Sequence, residues 1–321
     1  MNILILSAGT RNKVVQYFKE NNEGRVIATD CSKFAPALYD ADKHYIVKRM
    51  DEEGYLEQII EICKAEEIDA VFSLIDPELQ LLADNKELFE SINVTPIVSN
   101  SELIKICSDK FLFFNTLMNK GFNTVKTYDS YPNFLKDYKE EKIDFPVFVK
   151  PRNGSASIGI SKVTNEDELR HLTANRNDGI IQEYCSGQEY GVDVYIDLIS
   201  KEIKGYFSKE KIRMRAGETD KSISYEDEKL RTMIYSFVKE MGFIGFIDID
   251  VFKQGEEYLI SEVNPRFGGG YPHAYEMGIN IPKLAINNIA GRVNDTDYTE
   301  YKANVSMLKF SDVKIVDFDQ I

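Results

Sequence analysis

Short apolar runs alternate with stretches of helical period through the first hundred residues. Ile3–Leu6, Val26–Ala28, Tyr45–Val47, Ala70–Ser73 and Thr95–Val98 read as strands, and Lys13–Glu20, Leu56–Glu66 and Glu78–Phe89 as helices. Continuous apolar strands separated by helices are the pattern of a parallel sheet covered on both faces. Beyond about residue 98 the pattern changes. A helix from Asp109 to Asn119 leads to the apolar strand Phe145–Lys150, a loop of small residues, the strand-like Ile158–Val163, a helix Glu166–Asn175 and a strand Ile180–Glu183. Strands then predominate: Tyr190–Leu198, Glu202–Ser208 and a hairpin from Asp248 to Asn264, with helices near Tyr225–Met241 and Ile281–Ala290. No repeat or low-complexity stretch separates these segments.

Three units are expected: residues 1–98, an α/β domain; 99–185, a linker helix and a smaller lobe with a phosphate loop; and 186–321, a larger lobe with a metal site. The last two are α+β. The first strand runs into Ser7-Ala-Gly9-Thr-Arg11 and the second ends at Asp30, as in a Rossmann-like sheet. One glycine is not a G-x-G-x-x-G fingerprint, so dinucleotide binding gains little support. Asp76-Pro77-Glu78 follows the fourth strand, where Asp76 serves either as a helix cap or in substrate binding.

The hairpin places acids where strands disfavour them. Ile247, Ile249 and Val251 alternate with Asp248 and Asp250, giving one apolar and one acidic face. A three-residue turn Gln254-Gly255-Glu256 would set Lys253 opposite Glu257 and Asp248 opposite Glu262. Asp248, Asp250, Glu262 and Asn264 then share a face, with Ile249, Val251, Leu259 and Val263 on the other. Like charges opposite one another destabilise a strand pair, so a cation should compensate. Oxygen-only donors point to a hard ion such as Mg²⁺, completed by phosphate oxygens.

Charge changes the picture further. The 321 residues carry a net charge of −14 with no offsetting basic block, which argues against nucleic acid as a partner. A triphosphate would therefore need local cations. Lys150 ends an apolar strand, where an unpaired ammonium is costly, and Lys110 stands at a helix start. Between Lys150 and Gly159, the run Arg152-Asn-Gly154-Ser155-Ala-Ser157 lets backbone N–H groups surround phosphate oxygens, although it lacks the G-K-[ST] of a Walker loop. Gln182-Glu183-Tyr184 and Gly187-Gln-Glu189 could read an adenine edge and ribose hydroxyls. Cys31, Cys63, Cys107 and Cys185 are far apart and form no CxxC pair, so neither a zinc site nor a disulfide framework is supported. With no run of membrane-spanning length and no signal-like start, a cytoplasmic setting is expected.

In this order, Ser108-Asp-Lys110, Phe145-Pro-Val-Phe-Val-Lys150-Pro, the Ser/Gly loop, Gln182-Glu-Tyr, Gly187-Gln-Glu189-Tyr and Glu262-Val-Asn264-Pro-Arg266-Phe-Gly-Gly-Gly resemble the motifs of the ATP-grasp superfamily. The similarity is to its carbamoyl-phosphate-synthetase-like carboxylate–amine ligase branch and covers essentially the whole chain. It implies a Rossmann-like pre-ATP-grasp domain followed by a two-lobed ATP-grasp fold. It also implies nucleotide binding by Lys110, Lys150, Ser155, Ser157, Gly159, Glu183, Tyr184 and Glu189. The metal would sit on Asp248, Glu262 and Asn264, with Asp250 behind Asp248, and Arg266 would stabilise the transferring phosphate. ATP and Mg²⁺, or Mn²⁺ in its place, are the implied cofactors. One such unit fits the chain, where a full synthetase large chain holds two.

The function expected is an ATP-dependent ligase joining a carboxylate to an amine, or a thiol, through an acyl phosphate with release of ADP and phosphate. The alternatives are bicarbonate or carbamate phosphorylation and a nucleotide-binding regulatory subunit without turnover. Expected partners are small-molecule carboxylate and amine substrates and a second copy of the chain, with neither nucleic acid nor membrane. Thr10, Arg11, Asp76, Glu78 and Gly268–His273 are candidates for the acceptor site. Arg213 and Arg215 could fork a substrate carboxylate, with Arg215 catalytic beside Lys150 and Arg266. His273 reads as a packing residue.

Overall fold

The computed structural model describes residues 1–154, 159–174 and 178–317. The first unit comprises β1 (Ile3–Leu6), α1 (Asn12–Asn21), β2 (Val26–Asp30), β3 (Lys43–Ile46), α2 (Tyr55–Ala65), β4 (Ala70–Ser73), α3 (Asp76–Asp84), α4 (Lys86–Ser91) and β5 (Thr95–Pro96). Its strands form a parallel sheet in the order β3-β2-β1-β4-β5. β1 is central and wholly buried because its side chains serve two layers. Ile3 and Ile5 pack with Val14, Val15 and Phe18 of α1, while Leu4 and Leu6 pack with Ile59 of α2 and Leu79 of α3. The expected single helix Glu78–Phe89 is two, broken at Asn85, whose side chain donates to the carbonyl of Leu81.

Next come α5 (Ser101–Ser108) and α6 (Lys110–Asn119), the former unexpected from its mixed pattern. Asn100 caps α5 and Asp109 caps α6, each through a side-chain oxygen on backbone N–H groups. The smaller lobe consists of β6 (Thr127–Tyr128), α7 (Tyr131–Lys139), β7 (Val147–Pro151), β8 (Ser161–Val163), α8 (Glu166–Ala174) and β9 (Gly179–Glu183). Its antiparallel sheet, β6-β9-β7-β8, covers a core of Phe134, Val147, Val149, Val163, Leu169 and Ile181.

The larger lobe holds β10 (Gln188–Ile196), β11 (Ile203–Arg215), β12 (Glu218–Tyr225), α9 (Glu228–Met241), β13 (Gly245–Gln254), β14 (Glu257–Asn264), α10 (Tyr271–Glu276), α11 (Ile281–Ile289) and β15 (Ser306–Leu308). Its sheet runs β14-β13-β10-β11-β12-β15 and is antiparallel throughout. β12 had no apolar signature because it buries polar side chains, among them Thr219, Ser222 and Ser224. α9 starts three residues later than expected because Asp227 caps it. No described helix is long and apolar enough to cross a membrane.

The first unit and the larger lobe share a core. Phe72 of β4 lies 5.1 Å from Phe246 of β13 between ring centroids, Phe246 stacks on Phe267 at 4.2 Å, and Phe18 of α1 closes the group 4.9 Å from Phe72. These contacts hold the strand ends of the first sheet against the acidic end of the hairpin. Replacing Phe246 with Ala should lower unfolding free energy by about 3–5 kcal/mol in urea titration. A change within about 0.5 kcal/mol would mean that the two units do not depend on this core.

Candidate active site

The acidic face exists in a register different from the expected one. β13 and β14 join through a two-residue turn, Gly255–Glu256, so Gln254 faces Glu257 and Phe252 faces Leu259. A bulge at Ser261 then shifts the pairing again, placing Asp250 opposite Glu262 and Asp248 opposite Asn264. The expected Asp248–Glu262 pair is therefore not formed. Two single-residue shifts restore the original facing, so all four polar side chains still share a face. Between the shifts the facing is reversed: Tyr258 and Ile260 enter the core in place of Leu259.

Cations of the chain itself already answer part of this charge. Lys211 of β11 contacts the Asp250 carboxylate and lies 2.9 Å from Glu189 Oε1; Lys209 contacts Asp193 of β10. The strand between them makes this reach possible. Gly191 pairs with Lys209 on one side and Asp250 on the other, and a Cβ there would stand 3.1 Å from Lys211 Cε and 3.3 Å from Lys209 Cε. Burial raises the Asp250 and Asp193 carboxyl pKa values, against the pull of Lys211 and Lys209. Burial also opposes charge on Lys211, but Asp250, Glu189 and Asp248 outweigh it and its pKa rises. The alternation of β11 showed no pattern that marked Lys209 and Lys211 as buried; only their position opposite a strand carrying Asp, Gly and Glu could have flagged them.

One cavity of about 600 Å³ lies between the lobes. Lys110, Lys150, Glu183, Tyr184 and Glu189 line it, as do Asp248, Glu262, Asn264 and Arg266, so most of the expected site residues converge. Lys110 Nζ donates to the Gly154 carbonyl at 2.5 Å, and Arg152 pairs with the helix-capping Asp109 at 2.7 Å, which ties the start of the loop to α6. Tyr184 stands 5.3 Å from the Phe148 ring and under the Lys162 ammonium. Gly159 is exposed with φ of 75°; Ser155 and Ser157 lie outside the described residues. Lys150 is 9% exposed, and burial lowers its pKa to about 8, helped by Lys110 and opposed by Glu262.

At the inner end, charges from the first unit meet the larger lobe. Asp76 is the first residue of α3 and makes no side-chain cap; its carboxylate instead receives Arg266 Nη2 at 2.7 Å. Arg11, which follows β1, pairs with Glu218 at 3.2 Å, and Lys309 reaches the same carboxylate at 3.0 Å. The run Gly268-Gly-Gly270 permits close approach: added Cβ atoms would meet Asp248 Cγ at 2.4 Å, Glu218 at 2.8 Å and Lys209 Cε at 2.6 Å. His273 is buried and bonds Ser222 Oγ through Nδ1, 2.8 Å away, consistent with packing. Arg215 does not join the cavity wall. Beyond register shifts at Lys211–Met214 the β11–β12 hairpin carries Arg213 and Arg215 into solvent, and Arg213 faces Asp220 at 3.7 Å.

Two lobes close lysines, an acidic face and an arginine around one cavity. Residues 107–270 match the ATP-grasp domain and residues 3–97 the PylC-like N-terminal domain. The chain belongs to the ATP-grasp family and is an ATP-dependent ligase in class. It is 23% identical over 284 residues to the formate-dependent phosphoribosylglycinamide formyltransferase of Proteus mirabilis, covering 82% of this chain and 67% of that one. It is 26% identical over 267 residues to a D-alanine–D-alanine ligase of Staphylococcus epidermidis, covering 73% and 74%. The structure of N5-carboxyaminoimidazole synthetase from Staphylococcus aureus complexed with ADP shares the fold, with a TM-score of 0.74 at 18% identity over 94% of this chain and 79% of that one.

Two outcomes follow from the geometry. A bound triphosphate favours the Lys150 ammonium, which in the free protein is lost as pH rises through about 8. MgATP affinity measured by calorimetry should therefore fall roughly tenfold between about pH 7 and about pH 9, and Lys150→Arg, charged throughout, should remove most of that dependence. An equal slope in both proteins would contradict the role. Gly268→Ala forces a methyl group into the Asp248 carboxylate. It should reduce turnover at least about tenfold while Tm falls by only a few degrees; undiminished turnover would show that Asp248 is free to move.

Proposed function

We propose that the chain phosphorylates a small-molecule carboxylate at the expense of ATP and passes the acyl group to an amine or thiol, releasing ADP and phosphate. The observation that carries this reading is the convergence of Lys110, Lys150, Arg266 and the Asp248–Glu262–Asn264 face on one cavity. Lys110 and Lys150 hold the phosphate chain as point charges, each worth about 4 kcal/mol at about 4 Å and an effective dielectric of about 20. Glu183 and Tyr184 lie where a base edge can be read, and Glu189, held by Lys211, can accept ribose hydroxyls.

The donor set fits Mg²⁺. Asp248, Glu262 and Asn264 offer oxygen alone, and among the described residues no three acidic, His or Cys side chains form a self-sufficient cage. A hard ion that takes one or two carboxylates and completes its shell with phosphate oxygens suits that arrangement, with Mn²⁺ an acceptable substitute. When bound, it neutralises phosphate charge during transfer. Asp250 lines the same cavity but is engaged with Lys211, so the proposed ligand set leaves it out. Arg266, fixed by Asp76, directs its guanidinium charge to the inner end, where charge develops on the transferring group.

In this reaction the carboxylate oxygen attacks the terminal phosphorus and ADP leaves. The amine then attacks the acyl carbon, and phosphate departs with the oxygen it took. A carboxylate labelled with oxygen-18 should therefore give labelled phosphate and ADP, read by mass spectrometry. AMP and pyrophosphate, or unlabelled phosphate, would overturn the acyl-phosphate course.

A further inference from the structure

Three buried polar atoms without a partner gather where the cavity's inner end meets a second cavity: Nη1 of Arg11 and Nε of Arg266, residues of the first, and Oδ1 of Asp76, a residue of the second. They are half of the six such side-chain atoms among the described residues, so the shortfall is concentrated here. Each belongs to a group otherwise engaged, Arg11 with Glu218 and Arg266 with Asp76. A native interior seldom leaves buried polar atoms unpaired, and a cluster of them marks what a ligand completes. Two of the three are guanidinium donors and the third is a carboxylate acceptor. Their complement is a group that both accepts and donates, with charges of both signs.

Net charge narrows the class. Arg11, Arg266 and Lys309, which shares Glu218 with Arg11, are matched by Asp76, Glu218 and Asp248, the last near enough to act on both guanidiniums. A phosphate dianion would add negative charge where no cation is in surplus, whereas a zwitterion adds none. Asp76 lines the adjoining cavity, of about 290 Å³, which shares Glu262 and Asn264 with the first, so there is room beside the metal face for a second substrate group.

Resting on the ligase reading above, we propose that the substrate seated here is an α-amino acid, its carboxylate forked by Arg11 and Arg266 and its ammonium facing Asp76. Arg11 is then a specificity-determining residue supplied by the first unit.

The test begins with calorimetric binding of MgADP to the full chain. Phosphate release from MgATP is then followed with each of the twenty proteinogenic amino acids and their D-enantiomers, singly and in pairs, beside phosphoribosylamine-type phosphorylated substrates. At least one amino acid should stimulate release, and Arg11→Ala should raise its KM roughly tenfold or more while the KM for ATP stays within about twofold. Arg11→Lys should restore only part of the loss, because an ammonium lacks the planar fork. Should Arg11→Ala lose its native circular dichroism, Arg11→Lys carries the comparison, with a raised amino-acid KM expected. Chain that binds MgADP yet responds to no amino acid, or that responds only to a phosphorylated substrate, would overturn the proposal and leave the ligase reading standing. An unchanged amino-acid KM in the folded variants would overturn it as well. Failure to bind MgADP would overturn the ligase reading and this proposal with it.

Discussion

The passage of two lysine side chains across Gly191 governs the site. Asp193, Asp248, Asp250 and Glu262 lie on one face of neighbouring strands, and left to themselves they would repel. Lys211 starts one strand beyond Asp250 and reaches it over β10 because that strand has no side chain at Gly191, and Lys209 runs over the same glycine to Asp193 of β10 itself. Removing one partner from such buried pairs leaves an uncompensated charge, which is far more damaging than never having placed the pair. The consequence is a division of labour. Asp250 lines the cavity with Asp248, Glu262 and Asn264, but its carboxylate, like that of Asp193, is engaged by a lysine, whereas Asp248 and Glu262 form no ion pair among the described residues and are completed by phosphate and a cation in the proposed reaction.

A second constraint comes from the glycine run that follows the hairpin. Gly268, Gly269 and Gly270 lie against Asp248, Glu218 and Lys209 in turn, so the backbone itself forms the floor of the inner end. The aromatic cluster of Phe18, Phe72, Phe246 and Phe267 fixes the strand ends of the first sheet against this floor. Arg11 and Asp76 can therefore act from one unit on residues of another. The site is built across the units, and the shared core holds its parts in position.

The parallel first sheet and the hairpin's acidic face were legible because their periodicities are strong and local: β1, β2 and β4 read directly as apolar runs. The register of the hairpin was not. A two-residue turn in place of three, and a bulge at Ser261, leave no mark on the alternation, and their effects on facing cancel at the acids while exchanging Leu259 for Tyr258 and Ile260. β12 was missed because its buried residues are polar and its reward lies in neighbouring strands. From its place before Pro77, Asp76 read equally as a helix cap or a substrate-binding residue, and its contact with Arg266, 190 residues away, accompanies the absence of a side-chain cap. Lys209 and Lys211 went unremarked in the sequence because their burial depends on a glycine in another strand. Nonlocal pairing of charge is the part that sequence pattern cannot carry.

The central claim is that the acidic face is divided between residues engaged by lysine and residues left for a metal. Mn²⁺ binding in the presence of ADP, followed by the paramagnetic resonance signal of the free ion, tests it most directly in the wild-type chain and in Glu262→Gln and Asp250→Asn. The account predicts that Glu262→Gln weakens ADP-dependent Mn²⁺ binding roughly tenfold or more with the fold intact, and that Asp250→Asn weakens it less. Equal affinity in the wild type and Glu262→Gln, or a larger loss in Asp250→Asn, would contradict it.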